Sequence, residues 1–185
     1  MSGISAAEAE QVLSEADCLH SAADVDAAYD AMAAAITTAL GDSDPVVLAV
    51  MNGGLIPAGE LLRRVPFPLA LDYVHATRYR GGVRGHELEW RVKPATDLRA
   101  RTVLVVDDIL DEAVTLAAIV EFCHAQGAAK VFSAVLVEKC HGRNQTGMKA
   151  DFCGLQVADR YVFGSGMDYK ERLRNVRGIY AVKGL

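Results

Sequence analysis

Little in this sequence points to a membrane, a secretory route or a nucleic acid. No apolar run reaches the roughly 18 residues that a membrane-spanning helix needs. The opening MSGISAAEAEQ is acidic and lacks a basic start followed by an apolar core, so no secretion signal is expected and the cytoplasm is the default compartment. The cysteines (Cys18, Cys123, Cys140 and Cys153) show no C-x-x-C spacing, which argues against a disulfide framework or a thiolate metal site and for reduced thiols. Positive charge is not in excess: 19 Lys and Arg face 24 Asp and Glu, for a net charge of −5, which argues against a broad nucleic-acid surface. A few local cations together with Mg²⁺ can still reverse the field inside one pocket. Internal repeats, low-complexity linkers and domain boundaries are missing as well.

What is present suits one domain over residues 1–185, 51 % apolar and 23 % charged, with room for a sizeable core. The chain is organised around Arg101–Leu116, RTVLVVDDILDEAVTL. Thr102 leads into Val103–Val106, an apolar run that reads as a strand buried on both faces of a parallel sheet. Asp107 and Asp108 stand where that strand is expected to end. Asp111 follows in a short turn, and a helix opens on Leu116. In open α/β sheets ligands bind beyond the carboxyl ends of strands, and helix N-termini offer free N–H groups to phosphate. Acids at a strand end beside such a turn point to a sugar phosphate held with magnesium.

The flanking segments read as an alternation of helices and strands. Residues 5–41 read as helical: Ser21 with Asp24 approximates a capping box, Val25, Tyr29, Met32, Ile36 and Leu40 recur at helical spacing, and Gly41 is a stop. Val46–Val50 reads as a buried strand running into Met51-Asn52-Gly53-Gly54 and a helix over Leu55–Arg64. A glycine pair there lets backbone N–H groups approach an anion closely, although many such loops carry glycines without a function. Leu69–Val74 is a third strand. Thr77–Gly85 carries three arginines and no acid, and reads either as a plain hairpin connection or as a lid over an anionic ligand. His86–Val92 returns as a strand. Gly127 stops the helix that ends at Gln126, and Val131–Val137 forms a strand ending in Glu138-Lys139. His141–Met148 reads as loop, Asp151–Val157 as a short strand, and Asp159–Tyr169 (DRYVFGSGMDY) as an aromatic strand with a glycine turn.

The phrase VLVVDDILDEAVTL resembles the phosphoribosyl-pyrophosphate (PRPP) signature of the type I phosphoribosyltransferases, in which hydrophobic residues precede two acids, two apolar residues and another acid. DRYVFGSGMDY, with an arginine further on, resembles a phrase of the hypoxanthine-guanine members. The resemblance runs from about residue 46 to about residue 182, in the expected order. It implies an α/β, type I phosphoribosyltransferase-like fold: a central, mostly parallel sheet flanked by helices, with a small hood and a flexible lid loop. Residues 1–41 would contribute to the hood or to an oligomer contact.

Carried over residue by residue, the resemblance also implies roles. Asp107 and Asp108 would take the ribose hydroxyls and, with Asp168, help to hold Mg²⁺. Asp111, Glu112, Ala113, Val114 and Thr115 would receive the 5′-phosphate, with Asp111 as general base at purine N7. Met51, Asn52 and Gly53, across a non-proline cis peptide at Met51-Asn52, would meet pyrophosphate together with Arg174. Lys139 would donate to the purine O6, Tyr161 would stack on the base, the Val162 carbonyl would read its edge, and Asp168 would close the base site. Arg78 and Tyr79 would belong to the lid.

The expected substrates are PRPP, a 6-oxopurine and the nucleoside monophosphate, with no nucleic acid and no membrane, in a homodimer or homotetramer. The alternatives are a PRPP- or nucleotide-binding regulator of the same fold and a transferase preferring xanthine. Two departures stand out. Asn52 occupies a place where several relatives carry a basic residue. Asp111-Glu112-Ala113-Val114-Thr115 replaces a D-T-G-x-T pattern, so Ala113 stands at a glycine position and Glu112 is expected to face solvent, away from phosphate.

Overall fold

A computed structural model describes residues 3–78, 88–144 and 146–185. Its elements are α1 (Ala6–Glu15), β1 (Asp17–His20), α2 (Ala22–Leu40), β2 (Val46–Val50), α3 (Leu55–Leu62), β3 (Ala70–Arg78), β4 (Leu88–Val92), β5 (Thr102–Leu110), α4 (Val114–Ala125), β6 (Lys130–Cys140), β7 (Phe152–Ala158), β8 (Val162–Phe163) and β9 (Ile179–Ala181). The large sheet has the order β4-β3-β2-β5-β6-β7, and every pairing in it is parallel except β3 with β4. A small antiparallel sheet, β1-β9-β8, is the expected hood.

The apolar strands are apolar throughout because both faces are covered. Val47, Ala49, Leu104 and Val106 pack with Val25, Tyr29, Met32 and Ile36 of α2 on one side. The alternate residues Val46, Leu48, Val103 and Val105 pack with Leu116, Ile119 and Cys123 of α4 on the other. Helix α2 starts where the sequence says: Ser21 accepts from the Asp24 N–H while the Asp24 carboxylate accepts from Ser21, a reciprocal capping box.

Several boundaries differ from expectation: β3 runs on to Arg78 and β6 to Cys140, α4 already starts at Val114, and two further differences change the architecture. Residues 5–41 are not continuously helical, because Asp17–His20 form β1, paired with β9 through Asp17↔Ala181 and Cys18↔Tyr180. Strand β5 does not stop at Val106. Its pairing with β2 ends there (Ala49↔Val106), but β6 follows it onward to Leu110↔Glu138. Asp107 and Asp108 therefore lie inside the strand, on a stretch that has lost one neighbour. The gap left as β2 turns away is the site.

Candidate active site

Asp107 and Asp108 occupy that one-sided stretch. The Asp108 N–H donates to Asp107 Oδ1 at 2.9 Å. Asp108 is only 8 % exposed. Burial raises the pKa of both carboxyls: Asp107 is pushed well up, first by desolvation and then by the charge of Asp108, while the rise at Asp108 is moderated by the Asp107 hydrogen bond and the Arg174 guanidinium. A carboxyl whose pKa rises on folding favours the fold fully only below the ordinary carboxylate range. That favour is lost as the pH climbs through the folded value, so the ionised pair opposes folding at neutral pH. Asp107→Asn should therefore stabilise the ligand-free protein at pH 7 in EDTA by about 1 kcal/mol, seen as a Tm rise of about 2–4 °C, while weakening ribose binding. The gain should shrink as the pH approaches about 4. Thermal unfolding at the two pH values measures it, and a lower Tm at pH 7 would refute it.

Beyond β5, Ala113 precedes α4 in the left-handed region, φ 64° and ψ −3°, with no side-chain cap. The glycine-like position flagged by the sequence thus needs a positive φ, and alanine there carries about 1 kcal/mol that glycine would not. With no side chain capping them, the first amides of α4 are placed to receive an anion. Asp107, Asp108, Asp111, Glu112, Ala113 and Thr115 share one cavity of about 320 Å³ with Met51, Asn52, Gly53, Asp168 and Arg174. Val114 is buried behind it. Glu112 is half-buried at the cavity wall, within the field of Arg143.

On the far wall, the Met51-Asn52 peptide is cis. Met51 and Gly54 commit their N–H groups to the carbonyls of Val74 (2.8 Å) and Val50 (2.7 Å). Gly53 lies against Asp108 so closely that a Cβ would meet Oδ2 at 2.1 Å. Arg174 donates to the Gly166 carbonyl at 2.7 Å, pairs with Asp168 and lies 3.6 Å from Asp108. Asp168 also accepts from the Glu171 N–H at 2.7 Å. A guanidinium bridges Asp108 and Asp168, and among the described residues no three His, Cys, Asp or Glu side chains converge on a metal position.

A second cavity of about 250 Å³ adjoins the first and shares Asp108, Ile109, Asp111 and Asp168 with it. Lys139, Tyr161, Val162 and Met167 complete its wall. The Tyr161 ring is 42 % exposed and stands edge-on to Tyr169 at 5.3 Å, leaving a face for a planar ligand. Asp111 accepts from Lys139 Nζ at 3.0 Å and pairs with His141 Nε2 at 2.6 Å. Burial would raise the Asp111 pKa, but these two donors outweigh it and hold the carboxyl below the usual range. Arg143 lies 3.8 Å from Asp111 and binds Asp159 more closely, at 2.6 Å through Nη2.

Of the lid residues, Tyr79 lies outside the described residues and Arg78 ends β3. The sequence reading passed over His141, Arg143 and Asp159, since a histidine and an arginine in an aperiodic loop look like solvated surface. For His141 and Arg143 the one visible signal is nearness in sequence to Lys139, and for Asp159 its place at the start of DRYVFGSGMDY.

The family description "Phosphoribosyl transferase domain" matches residues 17–172. A Bacillus subtilis protein named hypoxanthine-guanine phosphoribosyltransferase is 30 % identical over 82 % of this chain and 84 % of its own length. One from Tritrichomonas foetus, named hypoxanthine-guanine-xanthine phosphoribosyltransferase, is 29 % identical over 82 % of this chain and 83 % of its own. A solved structure bearing that second name superposes with a TM-score of 0.82 at 26 % identity, covering 90 % of this chain and 96 % of that one.

Proposed function

The chain belongs to the phosphoribosyl transferase family, and from that premise we propose a purine salvage enzyme that joins hypoxanthine or guanine to PRPP, giving IMP or GMP and pyrophosphate. The observation that carries this reading is the pair of adjoining cavities with Asp108, Ile109, Asp111 and Asp168 in common. One is walled by acids, a helix N-terminus and an arginine. The other is walled by a lysine, an open aromatic face and apolar residues.

Transfer at a sugar C1 builds positive charge on the ribose as pyrophosphate leaves, so the site must hold both reactants in line and compensate the departing charge. In this reading Asp107 and Asp108 accept hydrogen bonds from the ribose hydroxyls. The amides around Ala113–Thr115 and the Thr115 hydroxyl take the 5′-phosphate. Asn52, Gly53 and Arg174 receive pyrophosphate. Tyr161 stacks on the purine, Lys139 donates to O6 and the Val162 carbonyl reads the edge, with Asp168 beside it. Asp111 is the general base at N7. In the ligand-free state Lys139 and His141 depress its basicity, and recruitment of Lys139 by O6 would restore part of it.

Mg²⁺ suits this donor set. Asp107 and Asp108 are hard oxygen donors whose ionisation burial makes costly, and Mg²⁺ is held well by one or two carboxylates plus substrate oxygens. Bound there with PRPP, it would neutralise charge on pyrophosphate. Asp168 would join only by loosening its pair with Arg174.

No described helix is long and apolar enough to cross a membrane, and all four cysteines are free, which suits a cytoplasmic setting. Leu71 and Tyr73, 57 % and 44 % exposed on one face of β3, suit a contact in a homodimer or homotetramer. The named relatives keep xanthine open as a third base. The test is pyrophosphate release from PRPP with hypoxanthine, guanine, xanthine or adenine, with and without Mg²⁺. Magnesium-dependent turnover of 6-oxopurines and not of adenine is expected. Tight PRPP binding with no turnover on any base would overturn this reading in favour of a regulator.

A further inference from the structure

The two oxygens of Asp111 are held by different donors. Oδ2 accepts from Lys139 Nζ at 3.0 Å, and Oδ1 meets His141 Nε2 at 2.6 Å. The His141 side chain is 5 % exposed. Its ring is fixed from behind, because the Arg143 backbone N–H donates to Nδ1 at 2.9 Å. A nitrogen that accepts a hydrogen bond carries no hydrogen, so Nε2 bears it and donates to Asp111.

The other charges around Asp111 cannot substitute for this contact. Arg143 stands 3.8 Å from Oδ1 with its fork turned to Asp159. Glu112 and Asp108 line the same cavity with negative charge. Lys139 is the residue that the proposed reaction assigns to the base.

We infer that His141 is the positioning residue for Asp111: it anchors Oδ1 so that, once Lys139 turns to the purine O6, Oδ2 is presented to the N7 proton. The division of labour follows from the reading of Asp111 and Lys139 above and adds a member to it. One oxygen works while the other is tethered. The tether is set by the backbone at Arg143, so it persists whether or not the base is present.

Two variants and one spectrum test this. His141→Ala should lower kcat/KM for hypoxanthine by about 10- to 100-fold, while KM for PRPP changes by less than about twofold. The acid limb of its pH profile should move to higher pH, since the carboxylate has lost a donor. His141→Gln, whose amide nitrogen reaches the place of Nε2, should recover most of the rate and return the limb. In the unaltered protein, long-range ¹H–¹⁵N correlation should report Nδ1 of His141 as the ring nitrogen without hydrogen. Should the alanine variant fail to fold, the glutamine variant and the spectrum decide the matter. A hydrogen on Nδ1, a glutamine variant as impaired as alanine, or an unmoved acid limb would overturn the inference. Wild-type enzyme that turns over no 6-oxopurine would overturn the function and this inference together, whereas active wild type with an unimpaired His141→Ala would overturn the inference alone.

Discussion

Asp111→Asn should lower kcat by about 100-fold or more with PRPP affinity within about twofold of the wild type. Lys139 and His141 both direct hydrogens at this side chain, one at each oxygen. Asparagine offers one oxygen and one NH₂ group, so one of the two donors would face another donor. A buried polar group left without a partner costs about 1–3 kcal/mol. The more damaging loss is chemical, because the amide cannot take the N7 proton. PRPP should be largely indifferent, since its proposed contacts lie at Asp107, Asp108, Arg174 and the start of α4. Single-turnover rates alongside PRPP titration separate the two effects, and an unchanged rate would remove Asp111 from the general-base role.

Gly53→Ala should be comparably severe for a purely steric reason. The new Cβ would lie 2.1 Å from Asp108 Oδ2, 2.4 Å from Cγ and 2.7 Å from Oδ1. A carboxylate that gives way moves within the cavities it lines, where the substrates are proposed to bind. Either the loop at residues 51–54 or the carboxylate must move by a distance comparable to the tolerance of catalytic alignment. A misplacement of about 1 Å costs on the order of 100-fold in rate, and overpacking of this kind costs about 1–3 kcal/mol of stability. The expected result is a kcat/KM for PRPP lower by about 100-fold and a reduced Tm. Gly59→Ala, where nothing lies within 4 Å of the added carbon, is the control. Unimpaired PRPP kinetics in Gly53→Ala would mean that the contact between loop and acid does not govern the site.

Much of this protein was readable along the chain because the determinants are local. Val46–Val50 is apolar at every position, and a strand buried on both faces is what that pattern allows. Ser21 and Asp24 carry their own helix start. The family resemblance, not a local determinant, marks Ala113 as a glycine position, and the backbone there has a positive φ. Asp107, Asp108 and Asp111 drew attention to the end of β5 by their spacing alone.

The tertiary structure decided what depends on pairing across long separations. Asp17–His20 is a strand because β9 lies beside it, more than 150 residues away, and nothing in its own four residues requires that. β5 runs through its acids because β6 outlasts β2 as a neighbour. Arg174 stands between Asp108 and Asp168, Gly53 is pressed against Asp108, and His141 is aimed at Asp111. By itself the sequence determined which segments bury their faces and which acids cluster, since hydrophobic periodicity and helix capping act within a few residues. Only the folded chain decided which donor holds which carboxylate oxygen, because a hydrogen bond depends on ångström-scale placement of groups that chain order leaves far apart.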